Sequence, residues 1–142
     1  MKNEFIPYEI ALAMKELGFN EKCLACYDEG VFGLTVMSLK EYYTNSKEDT
    51  WNCAAPLYQQ AFRWFREEHD LHPTIIRDGK VYCLYTEKFI MSRHLVEEYA
   101  TYEEAELACL KKLIEIINQN KEDESNSRTT KTRFQGRFII PS

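Results

Sequence analysis

At 142 residues, 44% of them apolar and 13% aromatic, the chain has the length of one domain and enough bulky side chains for a sizeable core. The net charge of −5 is unevenly spread: residues 1–124 hold all 23 acidic groups against 14 basic ones, a net −9, while the last 18 residues carry four basic groups and no acidic one. An acidic body repels phosphate backbones and anionic headgroups, so neither nucleic acid nor a membrane surface is expected as a partner.

No run of 18 apolar residues is present, and the N-terminal MKNEFIPYEI lacks the basic start, apolar stretch and small-residue cleavage site of a secretory signal, which points to the cytoplasm. The five cysteines, Cys23, Cys26, Cys53, Cys83 and Cys109, are odd in number, and all but Cys53 sit in strongly apolar segments. Reduced thiols acting as small core residues are the simplest reading.

In chain order, Pro7 near a first turn and Gly18 after Leu17 frame a helix over roughly residues 7–17, with Ile10, Ala13, Met14 and Leu17 on one face and Phe19 able to fold back on it. KCLACY (22–27) and VFGLTVM (31–37) are strand-forming runs joined by Asp28-Glu29-Gly30, a three-residue hairpin loop. Residues 40–50 are polar enough for a surface loop, with Tyr42 and Tyr43 packing part of it; Trp51-Asn52-Cys53 then leads into Pro56.

The stretch PLYQQAFRWFREEHDL (56–71) is the richest in large apolar side chains. On a helical wheel Leu57, Tyr58, Ala61, Phe62, Trp64 and Phe65 form one arc, and Gln59, Gln60, Arg63, Arg66, Glu67 and Asp70 the other. In HPTIIRDGKVYCLYT, Asp78-Gly79 signals a second hairpin, pairing Arg77 with Lys80, Ile76 with Val81 and Ile75 with Tyr82. Lys88–Ala100 is ambiguous between a short strand and an irregular connector. Thr101-Tyr102-Glu103-Glu104 is a capping box opening a third helix, whose Tyr102, Ala105, Cys109, Leu110, Leu113, Ile116 and Ile117 make a wide apolar face through about residue 118.

From Asn118 to Arg133 no residue is hydrophobic, so residues 119–133 are expected to be a flexible linker. FQGRFIIP then restores bulky side chains in a tail segment, residues 134–142. The fold class is therefore α+β, ordered helix, hairpin, helix, hairpin, helix, with an antiparallel sheet covered by helices in a single domain over residues 1–118. A repeat of about 50 residues is hinted at, aligning Tyr8 with Tyr58, Ala11 with Ala61 and Asp28 with Asp78.

Chemistry-bearing motifs are sparse. Cys23-Leu24-Ala25-Cys26 and His69-Asp70-Leu71-His72 provide two sulfurs and two nitrogens, but 42 residues separate the pairs and i, i+3 residues of a strand face opposite ways, so structural cysteines are favoured over zinc. A Cys53 and His94 nucleophile pair lacks a locatable orienting group or oxyanion site, and the five glycines form no phosphate loop, so no catalytic residue, metal or cofactor is assigned. Two places remain for binding. The polar face of the central helix, through Gln59, Arg63 and Arg66, can meet an acidic partner or a phosphate-bearing ligand. The tail, through Phe134, Arg137, Phe138, Ile139 and Ile140, can dock on its own body or on another chain.

The blocks PLYQQAFRWFREEHDL and TYEEAELACLKKLIEII, with IPYEIALAMKELGFNEKCLACYD, resemble a family of small uncharacterised proteins met in phage and prophage genomes, including those of gut Bacteroidetes. The resemblance covers roughly residues 4–118 and implies a bacterial host cytoplasm, but brings no activity, ligand or site residue. It leads to the expectation of a non-catalytic phage or prophage accessory protein that binds a host or phage protein. The alternatives are a nucleotide-sequestering or other small-molecule-binding anti-defence protein and a Cys/His enzyme. A homodimer is compatible with open sheet edges and wide apolar helix faces.

Overall fold

In a computed structural model of the chain, the described residues are 4–28, 31–36, 42–46, 52–78, 81–85 and 98–137. They form α1 (Tyr8–Glu16), β1 (Ala25–Asp28), β2 (Val31–Val36), β3 (Asn52–Ala55), α2 (Tyr58–His69), β4 (Thr74–Asp78), β5 (Val81–Tyr85), β6 (Glu98–Tyr99) and α3 (Tyr102–Arg137), an α+β arrangement. The strands make two antiparallel sheets of three, in the orders β2-β1-β3 and β4-β5-β6.

Local chemistry sets the helix ends. Pro7, with φ −62°, precedes the first residue of α1, and Gly18 takes φ +99° just past its end. The Gly18 N–H then donates to the Lys15 carbonyl at 3.1 Å and the Phe19 N–H to the Met14 carbonyl at 2.9 Å, the paired bonds of a Schellman closure. Both Phe19 and Met14 are buried, supplying the apolar contact that accompanies such a closure. A Cβ at Gly18 would meet nothing within 4 Å, so Gly18→Ala carries only the cost of left-handed backbone. It should lower stability by about 1 kcal/mol in thermal denaturation, and Gly18→Asn by less. At α3 the Glu104 N–H donates to Thr101 Oγ1 at 3.2 Å, so the capping residue is the one its sequence indicates.

The strands depart from the sequence expectation in three ways. Asp28 pairs with Val31 across a bulge at Tyr27/Asp28, so it belongs to the ladder rather than to a three-residue loop. In the second hairpin Asp78 pairs with Val81 and Ile76 with Cys83. Each partner is displaced by two positions from the register Asp78-Gly79 suggests, a change that preserves strand alternation. Third, Asn52–Ala55 is a strand paired to β1; Glu98–Tyr99, by contrast, pairs with β5 as a short strand, one of the two alternatives for that stretch. The rest of 88–100 up to Glu97, and His94 with it, lies outside the described residues.

The 50-residue offset persists in the elements: α1 and α2 begin at Tyr8 and Tyr58, and the hairpins close on Asp28 with Val31 and on Asp78 with Val81. The third strands break the correspondence, because β3 joins the first strand of its hairpin and β6 the second.

The three helices share one core. Ile6, Ile10, Met14 and Phe19 meet Ala61, Trp64 and Phe65 of α2 and Cys109, Leu110, Leu113, Ile116 and Ile117 of α3. Packing on α1, α2 and all three strands of the second sheet, α3 is the spine of the domain. Asn45 ties the first sheet to that core, donating to the Phe19 carbonyl and accepting from the Ala54 N–H, each at 2.9 Å. Ile117 is buried and residues 118–129 of α3 are exposed. The helix nonetheless runs to Arg137, so residues 119–133 are helical where their composition suggests a coil. Nothing between Tyr102 and Gln135 is a proline or glycine, so no residue there breaks the helix. Of the tail segment, Phe134 and Arg137 fall in the last turn of α3, while Phe138, Ile139 and Ile140 lie outside the described residues.

Candidate binding cleft

The polar face of α2 divides into two stripes. Gln60 turns toward the first sheet, its Nε2 donating to the Lys22 carbonyl at 2.9 Å. Arg63, one turn on, faces the same way, with Nη2 3.9 Å from Glu21 Oε2. Gln59 and Arg66, seven residues apart with Phe62 between, fall on the neighbouring stripe. They line a cleft of about 450 Å³ between α2 and the start of α3, together with Pro73, Ile75, Tyr102, Glu106 and Cys109. Its α3 wall is again a single helical stripe, at positions i, i+4 and i+7. The sequence-derived set Gln59, Arg63 and Arg66 is thus only partly gathered in one place, since Arg63 belongs to the other face.

The electrostatics of the cleft are those of two separated opposite charges above an apolar floor. Neither Arg66 nor Glu106 forms an ion pair among the described residues. Burial, reinforced by the nearby Glu103 carboxylate, raises the Glu106 pKa above the ordinary range, and burial beside Glu106 also raises that of Tyr102. Phe62, Ile75 and the buried Cys109 give the floor. Such a surface suits a ligand offering an anionic or carbonyl group to Arg66 and Gln59, a donor to Glu106 and an apolar body between them.

The described thiols, Cys23, Cys26, Cys53 and Cys109, are buried. Burial pushes Cys23 and Cys109 up to about 12 and Cys53 up to about 11, far from the thiolate range a nucleophile needs. Among the described residues no three His, Cys, Asp or Glu side chains converge to hold a metal ion, and no helix is long and apolar enough to cross a membrane. The two histidines of His69-Asp70-Leu71-His72 do different things: His72 Nε2 donates to Asp70 Oδ1 at 2.8 Å, whereas the His69 ring stands edge-on to Trp64 with centroids 4.8 Å apart.

His69 Nε2 is buried with no hydrogen-bond partner among the described residues. Burial lowers the His69 pKa; Glu68 opposes the shift and Lys121 adds to it. The folded protein therefore binds this proton less readily than the unfolded chain does. The associated stability is present above the unfolded value near 6.5 and is lost as pH falls through the lower folded value. Thermal denaturation between pH 7.5 and 5 should show an acid-side loss that is smaller in His69→Gln; equal slopes would exclude His69 as its source.

Comparison with protein-family models, with curated proteins and with solved structures returns no match, so the cleft is interpreted from its own chemistry.

Proposed function

We propose that the chain is a non-catalytic phage or prophage accessory protein of the bacterial cytoplasm, which binds a host or phage protein through the cleft between α2 and α3. In this reading the scaffold is a helix, hairpin, helix, hairpin, helix unit with helices covering its antiparallel strands. The observation that carries it is the presence of Arg66 and Glu106 in the lining of one apolar-floored cleft, neither satisfied by an ion pair among the described residues. An extended polypeptide offers carbonyls and N–H groups in alternation and an apolar side chain between them, which is the complement of that surface.

The nucleotide-sequestering alternative draws on Arg66 for phosphate and Tyr102 for stacking. Against it, Arg63 is turned toward Glu21, and the half-buried Glu106 places an acid where a phosphate would have to approach. A protein segment is therefore the better occupant.

Affinity recovery from a bacterial host lysate with the tagged full chain tests the reading. Arg66→Glu should abolish recovery of the partner while Arg63→Glu leaves it intact; equal recovery by both would remove the cleft from the account.

A further inference from the structure

We propose that the C-terminal segment Arg137–Pro141 of one copy docks in the α2–α3 cleft of a second copy, so that the protein associates head to tail. This inference rests on the reading of the cleft as a site for an extended polypeptide, and it names the polypeptide.

The first support is geometric. Of the α3 residues whose burial is described, Ile117 is the last buried one, and the helix continues for 20 residues to Arg137. At about 1.5 Å per residue, Arg137 stands roughly 30 Å along the helix from Ile117. The cleft lies at the other end of the helix, at Tyr102, Glu106 and Cys109, and so is farther still. Phe138, Ile139 and Ile140 follow within three residues of Arg137, a reach of only about 10 Å. The tail therefore cannot return to the cleft of its own copy, so a tail seated in that cleft comes from another molecule.

The second support is chemical complementarity. The last 18 residues carry four basic groups against the net −9 of residues 1–124, so two copies attract end to body. Arg137 supplies a guanidinium for Glu106, which forms no ion pair among the described residues, and the adjoining Phe138, Ile139 and Ile140 supply apolar side chains for Phe62, Pro73 and Ile75. The backbone carbonyls of the segment are acceptors of the kind that Arg66 and Gln59 can bind. The cation, apolar body and acceptors thus occur within five consecutive residues.

A charge exchange between two variants of the full chain tests this. In sedimentation equilibrium the unaltered protein should self-associate, and Arg137→Glu and Glu106→Arg should each weaken association by about tenfold or more. An equimolar mixture of the two variants should associate again. The carboxylate introduced in the tail of the first then meets the guanidinium introduced in the cleft of the second, while the native Arg137 of the second meets the native Glu106 of the first. Circular dichroism and thermal midpoints verify that each is folded, and Ile139→Asp provides a tail variant that leaves every residue of the cleft in place. A chain that stays monomeric across the concentration range, or a mixture that behaves like its separate components, would overturn self-docking. If the chain is monomeric and Arg66→Glu still abolishes partner recovery from lysate, self-docking falls and the cleft reading stands. Loss of both results would remove both.

Discussion

Phe65→Ala should cost about 3–5 kcal/mol of folding free energy, a large part of the stability of a domain this size. Phe65 is fully buried, and its ring meets Trp64 edge-on at 5.0 Å. Trp64 in turn packs on Phe19 at 5.5 Å, the residue that closes the end of α1. Removing the ring leaves a void where α1, α2 and α3 meet, and interlocked aromatic neighbours collapse into such a void only partly. In urea denaturation the midpoint should fall sharply with little change in slope. A loss below about 1 kcal/mol would mean that the three helices do not share one core.

The second large effect concerns binding rather than folding. Arg66→Glu reverses the only cation among the described residues lining the cleft, placing a second carboxylate in a space that already raises the Glu106 pKa by burial. Loss of the favourable contact and gain of a repulsive one should together reduce partner affinity by about 100-fold, measured by calorimetry on the recovered partner. The exposed position of Arg66 makes the same change almost silent in thermal denaturation. Glu106→Gln should act more mildly, because the amide keeps one acceptor and loses only the charge. A partner bound equally well by Arg66→Glu would have to contact another face.

Much of this architecture is written locally. Pro7, Gly18 and Thr101 mark helix ends because a cap is decided within a few residues, and the apolar arc of α2 is visible on a wheel because burial follows helical period. The short strands are another matter. Asn52–Ala55 is held by pairing with β1 and by Asn45, and Glu98–Tyr99 by two residues of β5, partners that a local reading cannot supply. The hairpin register is ambiguous for a related reason: a two-residue connection at 78–79 or at 79–80 preserves the same alternation, and only the structure shows Asp78 opposite Val81. The extension of α3 shows that the absence of apolar residues speaks to burial and not to backbone conformation, since the Glu-, Lys- and Asn-bearing segment after Ile117 contains no breaker.

The cleft is half legible. Gln59 and Arg66 stand out as polar residues on an amphipathic helix, but the split that sends Arg63 to Glu21 depends on the connection between α1 and β1. Glu106 is hidden by its setting, an acid in an acid-rich first turn and a half. The signal that could have found it is its phase: it lies four residues from Tyr102 and three from Cys109, inside the apolar arc rather than opposite it.

The most direct measurement is site-specific cross-linking in bacterial cells, with a photo-reactive residue placed in the full chain at Gln59 and, separately, at Arg63. A protein adduct should form at Gln59, be lost when Glu106→Arg is added, and be absent at Arg63. Adducts that form at Arg63 instead, or that persist at Gln59 with Glu106→Arg, would contradict a protein-binding role for the cleft between α2 and α3.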